Sequence, residues 1–195
     1  NKVIIPRNSH KSVYNALKLF NLSPLFLECE EREGIVHQRV ESAEDMLAEE
    51  GVSGLLLVSP DYFGQVPNLA LARELTERYG KILAVDGAHG GHLKFTSPSL
   101  YAGSYADIWV DGVHKTLPCL TQASLLNVND AGLLEDVAEG LSLLRTTSPS
   151  YPIMASIEYG VYFAEAEGEE RFNALFTAIE EMIPSLTTVI RVGIP

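Results

Sequence analysis

The chain has few cysteines and no long hydrophobic run. Of its 195 residues two are cysteines, Cys29 and Cys119, and they lie in unrelated contexts. A disulfide-stabilised scaffold is therefore not expected, and a reducing cytoplasm suits such a chain better. No apolar run approaches the roughly 20 residues that cross a bilayer. No basic segment followed by an apolar one has the pattern of a signal peptide. These absences predict a globular protein of the cytoplasm.

Positive charge is also scarce. The chain carries 14 Lys and Arg against 26 Asp and Glu, a net charge of −12. Because phosphate groups are bound by Lys and Arg, neither nucleic acid nor an anionic membrane is an expected partner. An acidic surface tolerates a cationic small molecule, although acidity also serves solubility alone.

Signature motifs of several enzyme classes are missing. The chain contains no GxxxxGK[ST], GxGxxG, GxSxG or HExxH. Nucleotide-binding, α/β-hydrolase and zinc-protease functions therefore lack their signatures. His89 and His92 lie close together, but no Cys, Asp or Glu is spaced as a third ligand. We predict no metal site.

What the chain does contain is an alternation of short apolar segments and helical ones. Strands are predicted over residues 3–5, 25–27, 54–58, 82–85, 107–110, 124–128 and 188–192. Helices are predicted over residues 9–20, 42–50, 69–79, 133–144, 153–166 and 169–182. This order indicates an α/β fold, with a mostly parallel sheet flanked by helices on both faces. Without a repeat or a linker, residues 1–195 are predicted to form one domain.

Ionisable residues follow three of the predicted strands. His10 comes after the first strand, Asp86 ends the fourth, and Lys115 follows the fifth. Ligands of parallel sheets bind outside the carboxyl ends of the strands. These three residues are therefore candidates for a functional site.

Each candidate has an ordinary structural alternative. Asp86 could meet a cation such as a protonated pyridine nitrogen, or it could cap the next turn. Lys115 could be a nucleophile toward an aldehyde, since partial burial favours the neutral amine, or it could be an exposed lysine. His10 could lie flat over an aromatic cofactor, and Ser9 could be a plain helix N-cap.

Five motifs, in this order, resemble the Orn/Lys/Arg decarboxylase family, a pyridoxal-phosphate-dependent group with the aspartate-aminotransferase-like fold. The motifs are PRNSHKS at 6–12, SPDYFG at 59–64, DGAHGGH at 86–92, HKTLPCLTQ at 114–122 and TSPSY at 147–151. The resemblance covers nearly the whole chain.

The resemblance implies roles for the strand-end residues. Lys115 would form the Schiff base with pyridoxal phosphate. Asp86 would pair with the pyridine nitrogen. Ala88 would pack under the ring, and His10 would stack on the other face.

Two more histidines receive roles from the resemblance. His89 would lie near the ring hydroxyl or the Schiff base, and His114 would bind the phosphate. The chain departs from the family pattern at Gly87, where an acidic or small hydroxyl residue is common. It departs again at Gly112 and Val113, where a Ser-Thr pair is common.

The family's phosphate-binding loop lies before the segment that contains His10. Since this chain lacks that loop, we expect it to be a cofactor-binding large domain without the loop and without the C-terminal small domain. The phosphate ligands that remain are His114 and, from a neighbouring subunit, Ser148 or Ser150.

The implied activity is decarboxylation of arginine, lysine or ornithine to the corresponding amine, within amino-acid metabolism and polyamine biosynthesis. A basic amino acid is the expected small-molecule substrate, and a homodimer or higher homo-oligomer is the expected assembly. Two alternatives remain. The chain could belong to another pyridoxal-phosphate enzyme of the same fold, a transaminase or an aldolase. It could also be a catalytically inactive binding or regulatory relative.

Overall fold

The computed structural model describes residues 1–32 and 34–190. The strands of this part of the chain are β1 (Lys2–Ile5), β2 (Ser23–Phe26), β3 (Cys29–Arg32), β4 (Ile35–Gln38), β5 (Val52–Val58), β6 (Ile82–Gly87), β7 (Ile108–Asp111) and β8 (Leu125–Val128). Six of them form a sheet in the order β2-β1-β5-β6-β7-β8. Its neighbours pair in parallel except β7 and β8, which are antiparallel. The predicted α/β fold with a mostly parallel sheet is confirmed.

The helices connect and cover these strands. They are α1 (Lys11–Leu19), α2 (Ala43–Leu47), α3 (Leu69–Tyr79), α4 (Leu93–Thr96), α5 (Val113–Thr116), α6 (Leu134–Leu144) and α7 (Tyr151–Ile190). Within the described ranges, no helix combines the length and hydropathy that a membrane span requires.

Helix α7 corrects two predictions. The helices expected over 153–166 and 169–182 are one continuous helix. The strand expected over 188–192 is wrong for residues 188–190, which belong to α7, and its last two residues lie outside the described part of the chain. The β-branched residues at 188–190 favour a strand by themselves, but they continue a helix that is already formed.

Helix α3 shows how local sequence sets both ends of a helix. The Asn68 side chain accepts a hydrogen bond from the backbone N–H of Leu71, at 3.1 Å. Gly80 ends the helix in the left-handed conformation, with φ 60°. Both ends agree with the prediction, because Asn at the N-cap and Gly after the last turn satisfy the free backbone groups of a helix.

Helix α1 begins one residue later than a Ser9 cap would place it. Ser9 donates its hydroxyl to the carbonyl of Pro6, at 2.7 Å. His10 is the N-cap instead, and its Nδ1 accepts from the backbone N–H of Ser12, at 3.3 Å. The alternative of Ser9 as the N-cap is therefore wrong, and His10 lies at the helix entrance.

The main hydrophobic core lies on one face of the sheet, beneath α2 and α3. Its buried members include Leu55, Leu57, Leu83, Val85, Ala43, Leu47, Leu69, Ala72 and Leu75. The residues that alternate with them along the central strands face the other way and are partly exposed, namely Leu56, Ala84, Ile108, Val110 and Leu126. One face of the sheet is therefore packed along these strands, and the other is more open.

The antiparallel hairpin of β3 and β4 was not predicted. It is joined to the sheet by Gln38, whose amide replaces a missing neighbouring strand at the end of β5. Gln38 Nε2 donates to the carbonyl of Val58 at 2.7 Å, and the Val58 N–H donates to Gln38 Oε1 at 3.1 Å. Val58 pairs on its other side with Asp86. The hairpin thus supports the strand ends where the candidate residues lie.

Candidate active site

A cavity of about 340 Å³ lies at the carboxyl ends of the parallel strands. It is lined by Asn8, His10, Ser12, Val58, Tyr62, Asp86, Ala88, His89, Val110, Gly112, His114, Lys115 and Ser124. All six residues proposed from the sequence are in this set: Lys115, Asp86, Ala88, His89, His10 and His114. The structure therefore brings them together at one edge of the sheet.

A larger groove of about 430 Å³ lies beside the hairpin, and its character is different. Its two arginines pair with exposed carboxylates: Arg32 with Glu30 at 2.6 Å, and Arg39 with Glu28 at 3.2 Å. Exposed ion pairs of this kind contribute little to stability, and none of the residues proposed from the sequence lines this groove. We therefore assign the site to the smaller cavity.

Lys115 and His89 lie in hydrogen-bond contact in the cavity, and Lys115 is exposed rather than partly buried. Lys115 is the third residue of α5, and its Nζ lies 3.3 Å from His89 Nε2. A hydrogen on the amine can be donated to Nε2 when that nitrogen carries a lone pair. His89 Nδ1 is buried and has no hydrogen-bond partner in the described part of the chain. The pair can share and transfer a proton between an amine and an imidazole.

The Asp86 side chain lines the cavity and also hydrogen-bonds within the turn that follows β6. Its Oδ1 accepts from the backbone N–H of Ala88, at 3.2 Å. The turn-capping alternative for Asp86 is therefore confirmed, and because the side chain also lines the cavity, its pairing with a cation stays a prediction. The second oxygen can accept from a cationic ligand.

The ends of β6 and β7 and the loops that follow them meet at two glycines. A Cβ on Gly87 would lie 2.8 Å from the carbonyl oxygen of Val110, and a Cβ on Gly112 would lie 2.5 Å from that of Ala88. Real Cβ atoms do not approach so closely, so glycine is required for the loops to meet in this way. This contact sets the loop of Lys115 against the loop of Asp86.

Asp111 is a buried carboxylate that sequence reasoning gave no role. It is 4% exposed, and its Oδ2 accepts from Tyr101 Oη at 2.8 Å, Trp109 Nε1 at 3.0 Å and Asn127 Nδ2 at 3.0 Å. Burial raises the pKa of Asp111, and it also raises the pKa of Tyr101. The alternation of side chains along β7 was the available signal, because it places Asp111 on the same face as Trp109.

His10 and His114 are both held through Nδ1. His10 Nδ1 lies 2.8 Å from Ser12 Oγ. His114 Nδ1 lies 2.6 Å from the carbonyl oxygen of Ala123, so this nitrogen carries the hydrogen and donates. The Nε2 of His114 is then the nitrogen left for a ligand, and it can donate to a phosphate only when the ring is protonated.

Tyr62, in the 59–64 motif, is a second residue to which the sequence analysis assigned no role. Its ring is 83% exposed and meets the His89 ring edge to face, with 6.2 Å between centroids. The turn that presents it is organised by buried Asp61, whose Oδ1 accepts from the backbone N–H groups of Phe63 and Gln65, each at 2.9 Å. Tyr62 therefore lies beside the contact between Lys115 and His89.

His92 is not among the residues that line the cavity. Burial lowers the pKa of its imidazole, and its ring packs against Phe172 with 5.7 Å between centroids. Within residues 1–32 and 34–190, no group of three or more His, Cys, Asp or Glu could hold a metal ion. His92 therefore packs between its loop and α7.

The model of the Orn/Lys/Arg decarboxylase major domain matches residues 1–187. The chain belongs to this family. An arginine decarboxylase of Bacillus subtilis is 36% identical over 178 residues, which cover 87% of this chain and 36% of that protein. One of Halalkalibacterium halodurans is 38% identical over 169 residues, 80% of this chain and 33% of that protein. The chain thus spans about a third of the length of these relatives.

Solved structures show the same fold. The constitutive lysine decarboxylase of Escherichia coli superposes with a TM-score of 0.80 at 20% identity, covering 99% of this chain and 30% of that one. A PLP-bound putative aminotransferase of Clostridium difficile superposes with a TM-score of 0.71 at 14% identity, covering 100% and 52%. The aspartate-aminotransferase-like fold inferred from the motifs is confirmed.

The residues of the cavity fit pyridoxal phosphate. The volume is within the range of small-molecule sites. Lys115 offers an amine to an aldehyde, and one oxygen of Asp86 can meet a pyridinium N–H. The glycine contact at Gly112 leaves the wall between these groups without side-chain bulk.

Proposed function

We propose that residues 1–195 form the cofactor-binding large domain of a pyridoxal-phosphate-dependent decarboxylase. It would convert arginine, lysine or ornithine into the corresponding amine. The observation that carries this proposal is the Lys115–His89 pair, 3.3 Å apart, in the same cavity as Asp86. Membership of the decarboxylase family and the arginine decarboxylases among its relatives support it.

The reaction breaks the bond between Cα of the amino acid and its carboxylate. Carbon dioxide leaves, the electron pair remains on Cα, and a proton is added to that carbon. Pyridoxal phosphate, when bound, supplies an electron sink for this pair. Asp86 would hold a proton at the ring nitrogen with the oxygen that does not accept from Ala88. Ala88 and His10 are the proposed neighbours of the two ring faces.

Lys115 and His89 handle the protons of the reaction. The neutral amine of Lys115 is the form that attacks an aldehyde, and His89 Nε2 can take up a hydrogen from Nζ. With the amine of Lys115 free, the same pair would carry the proton that is added to Cα of the substrate. Tyr62, whose ring meets that of His89 edge to face, is a further neighbour of this pair.

A small basic amino acid suits the charge of the chain, which is −12. We infer that the enzyme works in the cytoplasm, in polyamine biosynthesis, as a homodimer or higher homo-oligomer. Ser148 and Ser150, the candidate phosphate ligands from a neighbouring subunit, lie in the exposed segment between α6 and α7, away from this chain's own cavity.

A transaminase or aldolase would use the same fold, as the aminotransferase neighbour illustrates. The 114–122 motif and the arginine decarboxylase relatives favour decarboxylation. An inactive relative would have no need to keep Lys115 beside His89 in the cavity.

The test uses the full-length protein with pyridoxal phosphate and, separately, arginine, lysine and ornithine. Carbon dioxide and the matching amine are the expected products from at least one of them, and Lys115→Ala should form neither. Formation of a keto acid without carbon dioxide would show a transaminase. No product from any of the three amino acids, with cofactor bound, would favour the inactive relative.

A further inference from the structure

We propose that Ser124 is a further cofactor-binding residue whose hydroxyl donates a hydrogen bond to the phosphate group beside His114. The inference rests on the proposed function, because it takes pyridoxal phosphate as the ligand of the cavity. A phosphate dianion needs several donors, and charge-assisted hydrogen bonds are its strongest contacts. The cavity therefore has to supply hydroxyl or N–H groups on the wall that carries His114.

The segment leading into Lys115 cannot supply a hydroxyl. Gly112 has no side chain, and a Cβ there would lie 2.5 Å from the carbonyl oxygen of Ala88. Val113 is buried at 2% exposure among apolar side chains. The Oγ1 of Thr116 is buried and has no hydrogen-bond partner among the described residues, and Thr116 does not line the cavity. Any hydroxyl donor for the phosphate must come from another segment.

Three hydroxyl side chains line the cavity: Ser12, Tyr62 and Ser124. The Ser12 hydroxyl is 2.8 Å from His10 Nδ1 and is engaged there. Tyr62 meets the ring of His89, in the part of the cavity where His89 contacts Lys115. Ser124 is exposed to the cavity, and no residue in the described part of the chain hydrogen-bonds to its hydroxyl.

Ser124 is held on the same wall as His114 by backbone contacts. The carbonyl of Ala123, the preceding residue, accepts from the His114 backbone N–H at 3.2 Å and from His114 Nδ1 at 2.6 Å. These two bonds bring residues 114 and 124 together although they are ten positions apart in the chain. The short antiparallel pairing of β7 with β8, which starts at Leu125, keeps this arrangement.

The two side chains complement each other chemically. His114 has given its Nδ1 hydrogen to a carbonyl, so its Nε2 donates only when the imidazole is protonated. A serine hydroxyl donates whatever the pH, and its rotation lets it follow the phosphate oxygen. The Ser124 hydroxyl can therefore donate at any pH, next to a His114 Nε2 that donates only from the protonated ring.

The experiment compares pyridoxal phosphate with pyridoxal, which has the same ring and aldehyde but no phosphate. Each is titrated into the apo form of the full-length protein, and binding is followed by absorbance. Ser124→Ala should weaken affinity for pyridoxal phosphate by about 10- to 100-fold, the worth of one hydrogen bond to a charged group. Affinity for pyridoxal should stay unchanged. Ser124→Thr, which keeps the hydroxyl, should restore most of the affinity for pyridoxal phosphate.

Ser53→Ala serves as the matched control, because Ser53 is an exposed serine of β5 outside the cavity. An equal loss of affinity for both compounds in Ser124→Ala would reveal a structural role and overturn the assignment. An unchanged affinity for pyridoxal phosphate, with a raised KM for the amino acid, would place the hydroxyl against the substrate and overturn it too. If the unaltered protein binds neither compound, the proposed function fails together with it.

Discussion

Asp86 and Asp111 are two aspartates at the ends of neighbouring parallel strands, and their surroundings are opposite. In the register of β6 and β7, Asp86 pairs with Val110 and Gly87 pairs with Asp111. The two carboxylates are thus offset by one residue, and side chains of a strand alternate between faces. Asp86 lies on the more open face and lines the cavity, while Asp111 lies on the packed face at 4% exposure.

The difference shows that the face of the sheet decides whether a strand-end carboxylate lines the cavity or is packed as a structural group. Asp86 accepts one backbone N–H in its own loop and keeps an oxygen for a ligand. Asp111 accepts from three side chains that pack on β7. Its raised pKa reflects burial, so a perturbed pKa does not by itself mark the catalytic carboxylate.

The largest effect is expected at Lys115. Borohydride reduction of the full-length holoenzyme, followed by peptide mapping, should find the pyridoxyl label on Lys115, and Lys115→Ala should remove both the label and the activity. Lys94 is the informative competitor, because its charge acts on Asp111. A label on Lys94 would place the cofactor near Asp111 and make that residue, rather than Asp86, its carboxylate partner. A label on Lys11 would place the cofactor at α1.

Asp86→Asn should lower turnover by at least ~100-fold, comparable to the loss of one preorganised electrostatic partner. A neutral amide cannot hold a proton at the pyridine nitrogen, whereas it can still accept from the Ala88 N–H. The melting temperature should therefore change little. Near-normal turnover with normal cofactor content would leave Asp86 as a turn cap alone.

Gly112→Ser tests the contact that joins the two aspartate loops. Its Cβ would lie 2.5 Å from the Ala88 carbonyl oxygen, so the loops must separate. We expect a loss of about 1–3 kcal/mol in unfolding free energy, typical of overpacking, together with weaker cofactor binding. Gly140→Ser is the matched control, since a Cβ at Gly140 has no atom within 4 Å. Equal melting temperatures for the two variants would show that the loops can adjust.

The smallest effect on activity is expected for Asp111→Asn, whose signature is the pH dependence of stability. Because the folded state raises the pKa of Asp111 above its ordinary value near 3.8, the protonated form is favoured on folding. Its contribution is fully present below about pH 4 and is lost as pH rises through the folded pKa. Relative to the unaltered protein, the variant should gain unfolding free energy as pH rises through that window.

Urea unfolding at a series of pH values measures this difference. A constant offset between the two proteins at every pH would mean that the Asp111 carboxylate is ionised equally in the folded and unfolded states. Turnover of Asp111→Asn should remain well above that of Asp86→Asn. The reverse order would give Asp111 the role assigned to Asp86.

Much of the fold was accessible from local sequence. The first six predicted strands all appear, because short apolar runs without alternation are typical of buried parallel strands. Asn68 and Gly80 predicted both ends of α3, because each acts on backbone groups within a few residues. The hairpin escaped prediction, since its strands carry charged, exposed residues such as Glu30 and Arg32 and bury no apolar face.

The candidate site could also be predicted from local sequence, because its residues follow strands that local sequence predicts. His10, Asp86 and Lys115 each follow a strand, and parallel strands place their carboxyl ends at one edge, so a correct strand order along the chain was enough to bring them together. The motif resemblance added His89, Ala88 and His114 at the same edge. By itself, the sequence determined which strand ends carry the candidate residues.

Tertiary structure alone decided which face each side chain occupies and which distant groups meet it. Placing Asp111 on the packed face depends on a strand register that a one-residue error reverses. Its partners Tyr101 and Asn127 lie ten and sixteen residues away, and Ser124 reaches the wall of His114 only through the Ala123 carbonyl. Such contacts form when the chain is packed, because they depend on the relative positions of whole strands and loops rather than on the residues next to each other in sequence.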